Sequence, residues 1–332
     1  MRARVRVAAV AVTLATTLTG LTGLTGCVTV HGATAVVPAT TEAEAERVLA
    51  RYAEVANEAH ATYDPDLVGQ VSEGALGAIE RASLTAHRAV APEGDADHTP
   101  FTFTDPRFHI PRQAAWPKFF LADTGVRAGD TESHWLLMFT RDAVDEDWRA
   151  AYRATLAPED VPRFTEDADG YARALRRGEA EELLLDPGEL GEAYTDFLQD
   201  GEGDAFAEGD ATTGRRETRA KSAGKATERH QWSDTPADPE RYPAMGLATE
   251  DGGAAVFFTV HQHTRKTMAE GYTPQVPRLM EPLLEGEARQ SLTTAYVYQQ
   301  LVSVPSRDAA EDGGERIVFV DQASGLVSAE GE

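Results

Sequence analysis

The sequence predicts an α+β protein of two tandem domains, each with N-terminal helices packed on a curved, mainly antiparallel sheet. Three observations predict it. Apolar residues recur at helical spacing over 41–84 and again over 187–200. After each helical stretch the apolar period falls to two. Turn residues then separate the short-period runs, as they do in a meander of strands. The first domain is 41–156, a connector spans 157–186, and the second domain is 187–332.

The first helix opens at Thr41-Glu42-Ala43-Glu44, a capping-box pattern in which the Thr41 hydroxyl and the Glu44 carboxylate satisfy the first free N–H groups. Val48, Tyr52, Val55 and Ala59 continue it over 41–61, and Asp64-Pro65 breaks it. Leu67, Val71, Ala75 and Ile79 mark a second, segmented helix to about Leu84, weakened by Gly69, Gly74 and Gly77. Phe101/Phe103 and Phe108/Ile110 then alternate with polar residues. Phe119-Phe120-Leu121 and 135–139 are denser, and 148–156 alternates loosely. Asp105-Pro106, Gly125, Gly129-Asp130 and the acidic 145–147 supply the turns. The connector carries a brief helix near 171–177. Asp186-Pro187-Gly188-Glu189 places an N-cap Asp, a Pro and a Glu in starting order. Leu190, Tyr194, Phe197 and Leu198 give that helix its apolar face, and Gly201 ends it. The stretch near 202–237 is polar and is expected to be partly mobile. Strands return at 254–264, 292–304, 316–321 and 326–328.

Ahead of the folded part, Arg2, Arg4 and Arg6 precede an apolar run over 7–18 and then small residues, the three parts of a secretory signal over 1–26. Gly20, Gly23 and Gly26 interrupt the run, which makes it a poor membrane span. Residues 27–40 read as a flexible tether. Leu24-Thr25-Gly26-Cys27 resembles the lipobox of bacterial lipoproteins. That resemblance implies cleavage before Cys27 and a diacylglyceryl thioether, of palmitate type, on its sulfur. Two acyl chains hold a protein stably where one does so only marginally. The implied partner is therefore the cell membrane, reached through a lipid anchor at its extracytoplasmic face. Cys27 is the single cysteine of the chain, so no internal disulfide forms.

Two further resemblances follow. The repeated order of helix then antiparallel strands resembles the cone-shaped fold of the nuclear-transport-factor-2-like (NTF2-like) superfamily, which implies a pocket between helix and sheet. Ser72-Glu73-Gly74-Ala75-Leu76 with Ile79-Glu80-Arg81-Ala82, and Ile110-Pro111-Arg112 with Trp116-Pro117-Lys118-Phe119-Phe120, resemble actinomycete lipoproteins of uncharacterised activity.

Composition narrows the function classes. The chain carries 31 Lys+Arg against 55 Asp+Glu, a net charge of −24. A body this acidic, without a basic stripe, is repelled by phosphate backbones, so nucleic acid is excluded as a partner. Its spread-out acids read as a solvated surface.

The catalytic motifs are missing. Gly209 and Gly214 have the spacing of a phosphate loop, but Arg215-Arg216 stands where Lys and Ser/Thr are needed. There is no Gly-x-Ser-x-Gly elbow and no His-Glu-x-x-His pair. His261-Gln262-His263 would place two imidazoles on one face of a strand. Thr259 and Arg265 share that face, however, which describes a solvated side opposite a core of Val256, Phe258 and Val260. Asp167-Ala168-Asp169-Gly170 resembles part of a calcium loop, but Thr165 and Arg176 occupy positions that require acids, so a charged turn accounts for it better. Acidic pairs such as Glu181-Glu182 are too common here to nominate an acid–base couple. Trp116, Trp135 and Trp148 are expected in strands, filling the first core; Trp232 stands in the polar stretch.

The sequence thus names no catalytic residue, no metal ligand and no cofactor. It points to a lipid-anchored binding or scaffolding module for an envelope protein or a small ligand. The alternatives are an enzyme with an unfamiliar pocket and a transporter's solute receptor. The receptor class needs alternating strands and helices, and this chain lacks that pattern.

Overall fold

A computed structural model describes residues 35–178 and 180–332. Strand β1 (Val37–Pro38) leads into α1 (Glu42–Thr62). Thr41 caps α1 as expected, its Oγ1 accepting the Glu44 N–H at 3.2 Å. The reciprocal half of the box is replaced by a tertiary contact. Glu44 accepts from Thr40 Oγ1 (2.7 Å), Trp148 Nε1 (3.2 Å) and Arg141 Nη1 (3.3 Å), which pins the helix start to the first sheet. Ala45, Leu49, Tyr52, Ala56 and Ala59 make the buried stripe.

After the short α2 (Pro65–Val68), α3 (Gly74–Val90) runs past the expected end at Leu84. The glycines segment the helix by geometry. Gly74 takes a φ of 54°, and a Cβ on Gly77 would lie 2.8 Å from the Ser72 carbonyl. Glu80 of α3 is buried, accepting from Ser72 Oγ at 2.7 Å with Arg153 Nη1 at 3.7 Å.

The strands are β2 (Phe101–His109), β3 (Arg112–Gln113), β4 (Lys118–Ala128), β5 (Thr131–Arg141) and β6 (Arg149–Leu156). In the second half come β7 (Ala174–Arg176), α4 (Leu190–Asp200), α5 (Thr213–Ser222), β8 (Glu228–Pro236), β9 (Met245–Ala248) and β10 (Ala254–Met268). They are followed by β11 (Leu284–Gly286), β12 (Ser291–Val304), α6 (Arg307–Gly313) and β13 (Val318–Gly331). The first sheet has the order β2-β4-β5-β6. The second has the order β11-β13-β12-β10-β9-β7, with β8 beside the far half of β10, and β1 pairs with β3. Apart from the β11–β13 pair, these ladders are antiparallel.

The strand faces explain the dense apolar runs. Phe120, Ala122, Leu137 and Phe139 pack beneath α1. Their neighbours Phe119, Leu121, Leu136 and Met138 point the other way and meet Leu247, Phe257, Val297 and Leu301 of the second sheet. Val256, Phe258, Val260 and Val302 then pack beneath Leu190, Tyr194 and Leu198 of α4. The layers are helix, sheet, sheet, helix. Central strands buried on both faces read as continuous apolar runs instead of alternating ones. The described residues form one compact unit.

Two polar bonds seal the edge of the first sheet. The N–H groups of Arg153 and Thr155 on β6 donate to Gln299 Oε1 and Asp321 Oδ2 of the second sheet, each at 3.0 Å. An edge strand is thereby denied to other chains.

Several expectations are corrected. The segment 171–177, expected as a brief helix, contains strand β7, which pairs with β9. The polar stretch near 202–237 holds α5 and β8. They are tied together by the buried Asp234 carboxylate, which accepts from Arg219 Nη2 at 2.9 Å. Thr259, expected on a solvated face, is 4% exposed because that face of β10 packs against the first sheet; its Oγ1 lies 3.1 Å from the Tyr152 hydroxyl. No helix of the described residues is long and apolar enough to cross a membrane.

Because Phe257 lies in the layer shared by both sheets, Phe257→Ala should destabilise the protein by about 3–5 kcal/mol. In a Trp232→Phe background the remaining tryptophans, Trp116, Trp135 and Trp148, all lie in the first half, and denaturant unfolding followed by their fluorescence should shift with it in a single transition. A first-half signal that ignores the substitution would show the sheets unfolding independently.

Candidate functional site

Two clefts gather the chemistry. The first, about 420 Å³, is walled by Trp116 and Pro117 on one side. The start of α4 and the loop carrying Tyr242 and Pro243 make the other walls, and Arg176, Arg177 and Glu192 supply the charge. Trp116 was expected to fill the core from a strand. It stands in the β3–β4 loop, 38% exposed, because Pro117 has no N–H to pair and the ladder begins only at Lys118. Trp148 is buried as expected, and Trp135 is half-buried over α1. The wall at α4 is set by the predicted start signal. Asp186 accepts the Gly188 N–H at 2.8 Å, and Glu189 accepts the Asp186 N–H at 3.2 Å. Tyr242 is 7% exposed and meets the His261 ring edge-on at 5.2 Å. Burial, with His263 and Arg241 nearby, holds His261 below its ordinary pKa. His261 therefore buttresses the cleft wall, while His263 is exposed.

The second cleft, about 590 Å³, holds a cluster that sequence reasoning missed. His109, Asp123 and His134 come from β2, β4 and β5. The register sets His109 opposite Leu121 and His134 opposite Gly125, so the two imidazoles flank Asp123 on the sheet's inner face. His134 Nε2 bonds Asp123 Oδ1. His109 Nε2 lies 3.9 Å from Asp123 Oδ2, and its Nδ1 lies 3.8 Å from Glu166 Oε1. Both His109 nitrogens are buried and short of a hydrogen bond, with Phe164 packed on the ring at 4.5 Å. Burial pushes the Asp123 carboxyl up, but the two imidazoles outweigh it and hold the group below its ordinary value. An oriented imidazole beside an ionised carboxylate is competent to move a proton.

Spacings of 14 and 11 residues carry no signal by themselves. The usable clue was the Gly129-Asp130 turn: folding a hairpin about it sets His134 diagonally beside Asp123. Among the described residues, no group of three His, Cys, Asp or Glu side chains is placed to hold a metal ion.

The remaining sequence candidates are structural. Arg112 spans Asp167 (2.8 Å) and Asp169 (2.7 Å), and Asp167 Oδ1 accepts the N–H groups of Asp169 and Tyr171, the charged turn expected there. Trp232 lies on β8, half-buried, stacked with His230 at 5.8 Å. Leu24, Thr25, Gly26 and Cys27 lie outside the described residues.

Comparison with known proteins places this architecture in a class defined by sequence and not yet by activity. Residues 36–324 match the family described as a domain of unknown function, DUF8094. The chain belongs to that family. An uncharacterized lipoprotein of Streptomyces avermitilis is 39% identical over 308 residues, covering 92% of this chain and 90% of the relative. An uncharacterized lipoprotein of Streptomyces coelicolor is 39% identical over 307 residues with the same coverage. A second from that organism is 24% identical over 278 residues, covering 81% of this chain and 78% of the relative. No solved structure matches.

The depressed Asp123 pKa has a definite pH signature. The folded state holds the ionised carboxylate better than the unfolded state does. That stabilisation is complete above the ordinary carboxylate pKa of about 3.9 and fades as pH falls through the lower folded value. Asp123→Asn should therefore cost about 1.5–3 kcal/mol at neutral pH. Chemical denaturation should show the gap from wild type closing under acid conditions; a gap independent of pH would contradict the assignment.

Proposed function

We propose that this protein is a lipid-anchored envelope protein at the extracytoplasmic face of the membrane, acting as a non-enzymatic binding module whose ligand occupies the Trp116–Tyr242 cleft. The relatives named as lipoproteins and the Leu24–Cys27 motif support the anchor. The observation that carries the binding role is the cleft itself. It is concave, mostly apolar and preformed, with an exposed indole and a few charged groups at its walls, which is how small-ligand and peptide sites are built. A helix laid on a sheet in each half supports the NTF2-like comparison at the level of architecture. The mainly antiparallel sheets argue against a solute receptor of alternating strands and helices.

An enzyme is the second reading, favoured by the His109–Asp123–His134 cluster in its own cleft. It places turnover at that cluster. If cell extracts incubated with wild type and with His134→Gln keep the same small-molecule profile, the enzyme reading fails.

Two experiments test the binding module. Cys27→Ser should abolish labelling by palmitate; labelling that survives the substitution would exclude the thioether anchor. A photo-crosslinking amino acid at position 116, in the full-length protein on intact cells, should capture one dominant species. Tyr242→Ala should weaken that capture about tenfold, the equivalent of about 1.4 kcal/mol. Capture that is diffuse, or indifferent to Tyr242, would remove the cleft as the ligand site.

A further inference from the structure

Lys118 opens β4 beside the Trp116 cleft, directly across the ladder from Arg141 of β5. Like charges so placed repel. Lys118 is nevertheless only 6% exposed, and its Nζ has a backbone carbonyl, that of Gln113, at 3.3 Å. Both cations flank the same indole: Lys118 Nζ lies 5.5 Å, and the Arg141 guanidinium carbon 5.6 Å, from the centre of Trp116. Arg176 of β7 adds a third cation, donating to the Pro117 carbonyl. Burial, Arg141 and Arg176 together hold Lys118 below its ordinary pKa. Glu44 meets Arg141 Nη1 but also takes Trp148 Nε1 and Thr40 Oγ1, so its acceptors are already shared.

A second, independent observation comes from Gln113, which is 4% exposed. Its Oε1 accepts the Phe119 N–H at 2.9 Å, which fixes the amide's orientation. Its Nε2 is buried with no hydrogen-bond partner, and so is Nε of Arg141. The unpaired atoms here are donors, beside a buried lysine with no carboxylate. A group that accepts several hydrogen bonds and carries negative charge is the chemistry that such donors match.

We propose that Gln113 Nε2, Lys118 Nζ and Arg141 Nε form an oxyanion site beneath Trp116, of the class that takes a phosphate group. The inference deepens the binding-module reading, on which it rests for the ligand's apolar body: the anionic head sits under the indole and the body lies in the cleft. Gln113 pairs with Val37, ten residues after Cys27. An extended chain spans at most about 3.5 Å per residue, so an anchor at Cys27 keeps the site within about 35 Å of the bilayer. A phospholipid headgroup and a soluble phosphate are both within reach.

The test is thermal unfolding of the full-length protein in detergent, titrated with inorganic phosphate against sodium chloride of equal ionic strength. Wild type should gain about 5 °C at phosphate a hundredfold above its dissociation constant. Lys118→Met should be at least as stable as wild type without phosphate, since it removes a buried cation lacking a carboxylate, and should lose the response. Gln113→Leu should weaken phosphate binding at least tenfold. A parallel arm sediments Cys27→Ser protein with phosphatidylglycerol or phosphatidylcholine vesicles. Retention on phosphatidylglycerol that Lys118→Met abolishes supports the site and assigns its anion to lipid. A phosphate response without vesicle retention supports it and assigns a soluble anion. No response in either arm, or responses that Lys118→Met leaves intact, overturns the site. A species crosslinked at position 116 equally in wild type and Lys118→Met also overturns it, while leaving the binding module standing.

Discussion

Burial of β4, β5, β10 and β12 on both faces is the constraint on which the rest of this structure depends. With a helix on one side of each sheet and the other sheet on its far side, these strands have no solvent face to spend on polar residues over the stretches where the layers overlap. Some polar groups that enter this interior find partners there, while both side-chain polar atoms of Gln300 on β12 find none. Thr259 finds Tyr152, and Tyr152 donates in turn to the Pro243 carbonyl at 3.0 Å, at the wall of the Trp116 cleft. The shared core is therefore mechanically continuous with the Pro243 wall of the cleft, which is held by the packing behind it.

What could be read in advance follows from the range of the interactions. The caps at Thr41 and Asp186, the stripe of α1 and the stop at Gly201 are local, and they lie in the sequence much as they do in space. α5 and β8 were illegible because their order is tertiary. α5 buries none of its residues fully, and β8 alternates polar residues whose charge is satisfied by Arg219 meeting Asp234 and Gln262. A segment that neutralises itself only after folding looks like disorder in one dimension. The site residues divide the same way. Trp116 was visible as an aromatic, but its exposure depended on where the β4 ladder begins. His109, Asp123 and His134 needed the register of three strands before they became neighbours.

The two clefts draw on the first sheet in different ways. The imidazole cluster is carried by β4 and β5, which have ladders on both sides, and by the last residue of the edge strand β2. The Trp116 wall is carried by the loop that precedes β4, closed against the start of α4 by the 236–245 segment. One site has the precision of a sheet and the other the adaptability of a loop. That division matches proton transfer to the first and ligand accommodation to the second.

The two-residue ladder between β1 and β3 has a mechanical meaning. Ahead of α1, Val37 and Pro38 are paired with Gln113 and Arg112, next to the Trp116 loop, and the Ala39 N–H donates to the Pro111 carbonyl at 2.9 Å. Any pull on the chain from its N-terminal side enters the fold at that clip. Its two residue pairs make it the shortest strand ladder among the described residues. Were the N-terminal segment anchored as proposed, its tension would enter at the edge of the Trp116 cleft and reach that wall before the shared core.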